Sequence, residues 1–156
     1  MTMSVAGDAE RVTELLGRLP SCDFVIVTRT RHGDPEVIRN APFFRDGTPM
    51  PTRYWLVDPQ LRKQVSQLEG RGGVKAAEAA VDPVELRAAH DRYALERDQV
   101  IDAGHAGHVG PRPSGGVGGT RTGVKCLHTH YAWFLAGGDD PVGRWVHDQL
   151  HAESDP

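Results

Sequence analysis

Residues 115–138 read GGVGGTRTGVKCLHTHYAWFLAGG, a glycine-rich, cationic stretch that passes into an apolar segment holding one cysteine and two histidines. The second half has helical spacing. Val124, Leu127, Tyr131, Phe134 and Leu135 fall on one stripe, and Gly137 with Gly138 supplies a left-handed stop. Cys126, His130 and Trp133 form a second row at i, i+4 and i+7, while His128 projects from the other flank. A helix over 123–136 with so little ordinary polar surface is expected to be buried and central. The rest of the chain must then wrap it, and this decides the fold.

Upstream lies DAGHAGHVGPRPSGGVGGT, residues 102–120, a glycine- and proline-rich connection too long to be a simple turn. Asp58-Pro59, Asp82-Pro83 and Asp140-Pro141 each read as an N-cap followed by proline in the first helical position. There the carboxylate accepts an orphan N–H, and the ring removes a donor the helix cannot use. Glu85 stands three residues after Asp82, where a capping box places its acid. Helices are expected near 59–69, 83–102, 123–136 and 141–151, with a shorter one around 74–80. In the first third, VTELLGRL at 12–19 gives one helical face, stopped by Pro20. DFVIVTRTR, EVIRNAPFF and TRYWLV then read as strands joined through HGDP and an Asp-Gly turn. The fold class is α+β: a small antiparallel sheet packed on a cluster of four to five helices, with a long Gly/Pro-rich loop before a buried helix. Residues 1–156 make a single domain, with flexible ends expected at 1–7 and 152–156.

Bulk properties narrow the function classes. The chain has 156 residues and a formal net charge of −3, without the basic excess of a dedicated nucleic-acid binder. Two cysteines, Cys22 and Cys126, make no disulfide framework. No apolar run approaches the ~20 residues needed to span a bilayer, and the first residues lack a secretory pattern. A cytoplasmic protein that binds neither nucleic acid nor membrane is expected.

Four readings of the opening stretch stay open. A phosphate cradle needs close backbone approach, a helix N-terminus and a cation; Gly118, Gly119, Thr120, Arg121 and Lys125 offer these without matching a known phosphate-loop pattern. A nucleophilic thiolate on Cys126 would be favoured beside Lys125 and a helix start. His128 or His130 would serve as acid or base. A zinc site would draw on Cys126 and His130, with His90 from elsewhere; it is the less favoured reading. The plain alternative is a packed turn with solvated cations and buried, hydrogen-bonded histidines. On the helix starting at Pro83, His90 and Arg97 fall within the apolar stripe of Leu86, Ala89 and Tyr93, and a core-facing arginine needs an anionic partner. Strand alternation turns either Arg53 or Tyr54 inward, and an inward Arg53 would join Arg97 and Arg121 around an anion.

PTRYWLVDP at 51–59, HDRYALER at 90–97, the 115–138 block and DPVGRW at 140–145 together resemble the actinobacterial domain-of-unknown-function family 501, over most of residues 23–146. The resemblance implies a bacterial cytosolic protein, often encoded beside a septum-formation-initiator-like protein and an exopolyphosphatase-like protein. It carries no activity. The expectation from the residues is a small-molecule enzyme or binder for a phosphate- or carboxylate-bearing ligand, with hydrolysis as a candidate chemistry. The alternative is a non-catalytic interaction protein of the division or envelope machinery, with a protein partner there.

Overall fold

The computed structural model describes residues 7–154. Of the ends expected to be flexible, 1–7 and 152–156, residues 1–6 and 155–156 lie outside the described residues, Gly7 precedes the first helix, and the last helix runs to Ser154. The elements are α1 (Asp8–Leu16), β1 (Phe24–Arg29), β2 (Pro35–Asn40), β3 (Tyr54–Leu56), α2 (Pro59–Gly70), α3 (Gly73–Ala80), α4 (Pro83–Gly104), α5 (Leu127–Leu135) and α6 (Pro141–Ser154), with a 3₁₀ turn at Val117–Gly119. The architecture is α+β.

Side-chain alternation in the antiparallel sheet, ordered β1-β2-β3, sorts two cores. Ile26, Ile38 and Val57 meet Val12 of α1, with Trp55 packed at the edge. Val37, Tyr54 and Leu56 face the other way and join the main core with Tyr93, Leu127, Tyr131 and Trp133. The sheet therefore has α1 on one face and the helix cluster on the other. Between them and α6 lies α5, which packs on both β3 and α6.

Local signals place the starts of α2, α4 and α6. Asp58 accepts from the Leu61 N–H, Asp82 from Val84 and Asp140 from Val142, at 3.3, 3.1 and 2.9 Å. Two expectations need correction. α1 ends before Gly17, which takes a left-handed φ of 76°, so glycine rather than Pro20 stops it. α5 starts at Leu127 rather than near 123. Gly123 has φ 68° and Cys126 is extended at φ −154°, ψ 129°. The cause is tertiary: Glu78 of α3 accepts the Val124 N–H at 2.6 Å, and Glu69 of α2 accepts the Leu127 N–H at 2.8 Å. These carboxylates hold residues 123–126 out of the helix. Cys126 becomes the residue before the first turn, and the row Cys126–His130–Trp133 is broken.

Candidate functional site

The glycine-rich turn at 115–126 rests on α4 and divides the sequence-derived residues between two places. On the α4 side, His90 is 1% exposed and uses both ring nitrogens. The Val117 N–H donates to Nδ1 at 3.0 Å, so Nε2 carries the proton and donates to the Gly123 carbonyl at 2.8 Å. One imidazole thus ties both ends of residues 117–123. Gly116 makes this possible: a Cβ there would sit 2.5 Å from the Cβ and Nδ1 of His90. Gly115, at φ 77°, turns the chain where a Cβ would lie 2.3 Å from the Gly119 carbonyl oxygen. Burial holds the His90 imidazole below its ordinary pKa.

Arg97 is 6% exposed and is spent in the same way, donating to the Gly115 carbonyl at 2.7 Å and to Asp98 at 3.1 Å. Beside it lies a cavity of about 490 Å3 whose walls mix Arg97, Arg112 and Arg121 with Asp91, Asp98 and Asp102. Arg53 is also committed. Its Nε donates to Glu96 at 2.7 Å, and the Tyr54 hydroxyl donates to the same oxygen at 2.6 Å. Neither residue excludes the other from the interior, because Arg53 precedes β3 and escapes its alternation. Tyr54, desolvated and beside Glu96, is pushed up to about 12.

His130 stands apart from that cavity. It is fully buried, and its Nδ1 lies 2.6 Å from Asp140, whose other oxygen caps α6. The ring packs edge-on to His90 with centroids 5.8 Å apart, and Nε2 meets no partner among the described residues. The set Cys126, His130 and His90 does not come together as a metal site: His130 is held by Asp140, and His90 by the turn.

Cys126 instead meets His128. Its Sγ is 3.7 Å from His128 Nδ1, and the same nitrogen is 3.3 Å from Glu69 Oε1. His128 Nε2 lies 3.1 Å from Ser66 Oγ and 3.3 Å from the Arg62 carbonyl. A carbonyl only accepts, so Nε2 is the protonated nitrogen of the neutral ring and Nδ1 offers its lone pair to the thiol. The hydrogen bond with Cys126 and the charge of Glu69 outweigh burial and raise the His128 pKa.

Cys126 and His128 open on a second cavity of about 470 Å3. Arg18, Arg62 and Lys125 contribute to its wall, and no carboxylate does. Arg62 is anchored by donation to the Leu15 carbonyl at 3.0 Å, and the Arg18 guanidinium lies 5.3 Å from the centroid of the Trp55 ring. Lys125 makes no ion pair or hydrogen bond among the described residues. Gly118, at φ 73°, lines the wall beside Thr129. Gly119 and Thr120 shape the turn: the Gly119 N–H donates to the Gly116 carbonyl at 3.0 Å, and the Thr120 hydroxyl to the Thr122 carbonyl at 2.7 Å.

Of the expected anion ligands, Lys125 and Gly118 therefore share a cavity with Cys126 and His128. Arg121 lines the other one, and Arg53, Arg97 and His90 are engaged in holding structure. Sequence reasoning missed Arg18, Arg62, Ser66 and Glu69. A signal existed for the last three: they follow one another at i, i+4 and i+7 along α2. Glu69 also places a carboxylate near the negative end of a helix, where the dipole disfavours it.

The class of protein defined to this point is an α+β domain with a cationic cavity and a cysteine–histidine–glutamate cluster at its edge. A family model described as a protein of unknown function (DUF501) matches residues 26–148, and the chain belongs to that family. No curated protein and no solved structure matches it. No described helix is long and apolar enough to cross a membrane.

Proposed function

We propose that the chain is a small-molecule enzyme of hydrolytic type for a phosphate- or carboxylate-bearing substrate, and that it binds this substrate in the cavity bounded by Lys125, Arg62, Arg18 and Gly118. One observation carries the reading: three cations line a cavity of about 470 Å3 with no acid among them, next to a thiol and an imidazole that touch each other. Cations gathered without counter-charge repel one another, and an anion from solution relieves that repulsion. Trp55 and Tyr54 add aromatic wall for the rest of a ligand. Cys126, His128 and Glu69 are the chemistry-bearing groups beside it.

A thermal-shift panel of phosphate, pyrophosphate, nucleotides and short carboxylates tests the proposal. An anion at 100 times its Kd stabilises the folded state by about 2.7 kcal/mol. The expected result is a rise in melting temperature that Lys125→Ala or Arg62→Ala abolishes and Arg121→Ala retains. A rise lost in Arg121→Ala alone would move the site to the other cavity. A protein indifferent to every anion, yet retained by a protein partner, would return the reading to the interaction class.

A further inference from the structure

We propose that Cys126 Sγ, His128 Nδ1 and Glu69 Oε1 form a three-ligand zinc site whose remaining coordination position faces the cationic cavity.

The distances fit a metal better than they fit a hydrogen-bond network. Tetrahedral zinc, with Zn–S of about 2.3 Å and Zn–N and Zn–O of about 2.0–2.2 Å, sets neighbouring donor atoms roughly 3.3–3.6 Å apart. Sγ and Nδ1 are 3.7 Å apart, Nδ1 and Oε1 are 3.3 Å apart, and all three donors lie within 4.8 Å of one another. Without a metal, one ring nitrogen must satisfy two neighbours. Nδ1 has a single lone pair or a single proton, and either Cys126 or Glu69 is left poorly matched. A cation between the three donors serves all of them at once.

The outer contacts point the same way. Ring nitrogens opposite a metal usually donate to a carbonyl or carboxylate, which fixes the tautomer and the ring. His128 Nε2 does this toward the Arg62 carbonyl, with Ser66 Oγ alongside. Glu69 Oε2 accepts the Leu127 N–H at 2.8 Å, which orients the carboxylate and leaves Oε1 turned to His128. Cys126 is held in extended backbone just before α5, so its side chain is placed independently of the helical spacing. One thiolate, one imidazole and one carboxylate suit zinc among the common divalent ions. Three protein ligands leave room for water, as in catalytic rather than structural zinc sites.

The inference deepens the anion reading above, on which only the occupant of the open position rests. A zinc-bound water has its pKa lowered to about 7, beside the cations that would hold a substrate's charge. That water would lose a proton to solvent, its hydroxide would bond to the electrophilic carbon or phosphorus as the bond from that atom to the leaving oxygen breaks, and the leaving oxygen would take up a proton from solvent.

The test uses the full chain, purified without a histidine tag. Zinc titrated against a weak chelating dye is expected to bind at one equivalent. Cobalt(II) is expected to give a thiolate charge-transfer band together with the strong visible bands of tetrahedral coordination. Cys126→Ser should lose the charge-transfer band with an unchanged circular dichroism spectrum. Glu69→Gln and His128→Gln should each weaken binding by at least about 10–100-fold, the loss that even outer partners of metal ligands produce. For any variant that misfolds, alkylation of the native protein replaces it. Zinc should slow iodoacetamide at Cys126, while Cys22, 1% exposed, stays unreactive. Sub-stoichiometric zinc, cobalt spectra without the thiolate band, or alkylation indifferent to zinc would overturn the metal site. One-to-one zinc in a protein that no anion stabilises would overturn the anion reading and leave the metal site standing. Anion stabilisation without zinc binding would do the reverse.

Discussion

The two sides of the glycine-rich turn use similar residues for opposite ends. On the α4 side, His90, Arg97 and the nearby His130–Asp140 pair are buried, and their principal polar groups are spent on holding the turn, α5 and α6 together. On the α2 side, Cys126 and His128 are partly exposed, share one contact nitrogen with Glu69, and look into a cavity whose Lys125 has no counter-ion among the described residues. A histidine in a conspicuous motif can therefore be a clamp or a reagent. What separates the two is where the ring lies and what it meets: His90 and His130 are buried on the turn and on Asp140, whereas His128 meets a thiol and a carboxylate at the edge of a cavity.

If the α4 side is structural, the largest effect in the molecule belongs there. Asp140→Ala strips the buried His130 of its partner and removes the cap of α6 in one step. Breaking a fully buried, hydrogen-bonded pair typically costs about 3–5 kcal/mol, so denaturant unfolding should show a loss of that order. A loss below about 1 kcal/mol, within the range of an ordinary cap, would mean that His130 is not held as the 2.6 Å contact implies.

The next effect tests the turn itself. Gly116→Ala places a methyl 2.5 Å from the His90 ring, and overpacking of this kind costs about 1–3 kcal/mol. Circular dichroism melting should fall accordingly. Gly118→Ala is the paired control. Its nearest contacts, 3.5 Å to Lys125 and 3.7 Å to Thr129, leave space, so strain at φ 73° is its main cost.

These effects mark where local sequence ends as a guide. Helix starts at Asp58, Asp82 and Asp140 can be read directly, because cap and proline act within a few residues. The strands are readable from β-branched alternation, and the buried character of α5 from its apolar wheel. The start of α5 is not readable. It is imposed by Glu69 and Glu78, which stand 58 and 46 residues away from the N–H groups they accept. That shift of a few residues takes Cys126 off the helix and changes its partner from His130 to His128. Arg53 fails for a related reason: its position outside β3 by one residue frees it to reach Glu96 on α4. Cys126, His128 and Lys125 do lie together at one cavity, while their pairings depend on long-range contacts that the local sequence does not carry.

Titration sharpens the contrast on the α4 side. Burial keeps the folded His90 imidazole below its ordinary value, with His130 opposing its charge in addition and the Gly123 carbonyl and Asp140 favouring it. As pH falls below about 6.5, the unfolded chain takes up a proton that the folded chain refuses. The stability His90 contributes is then complete above the ordinary histidine range and is lost as pH drops toward the folded value. Unfolding free energies followed from neutral pH to about pH 5 should decline less in His90→Gln than in the native protein. Equal slopes would show that His90 is not held neutral by the turn.

The smallest effect on stability carries the most information about function. Lys125 is exposed and unpaired among the described residues, so Lys125→Ala should change unfolding free energy by no more than about 0.5 kcal/mol. It also removes one of three like charges around a single cavity, which relieves the repulsion among Arg18, Arg62 and Lys125. The stabilisation conferred by an anion should vanish in the same variant, and its salt dependence should weaken with it, because the partly open cavity is screened by added ions. A structural lysine would show the converse, a weaker fold and an unchanged anion response. That outcome would erase the distinction between the two sides of the turn, because Lys125 would then belong with the clamps.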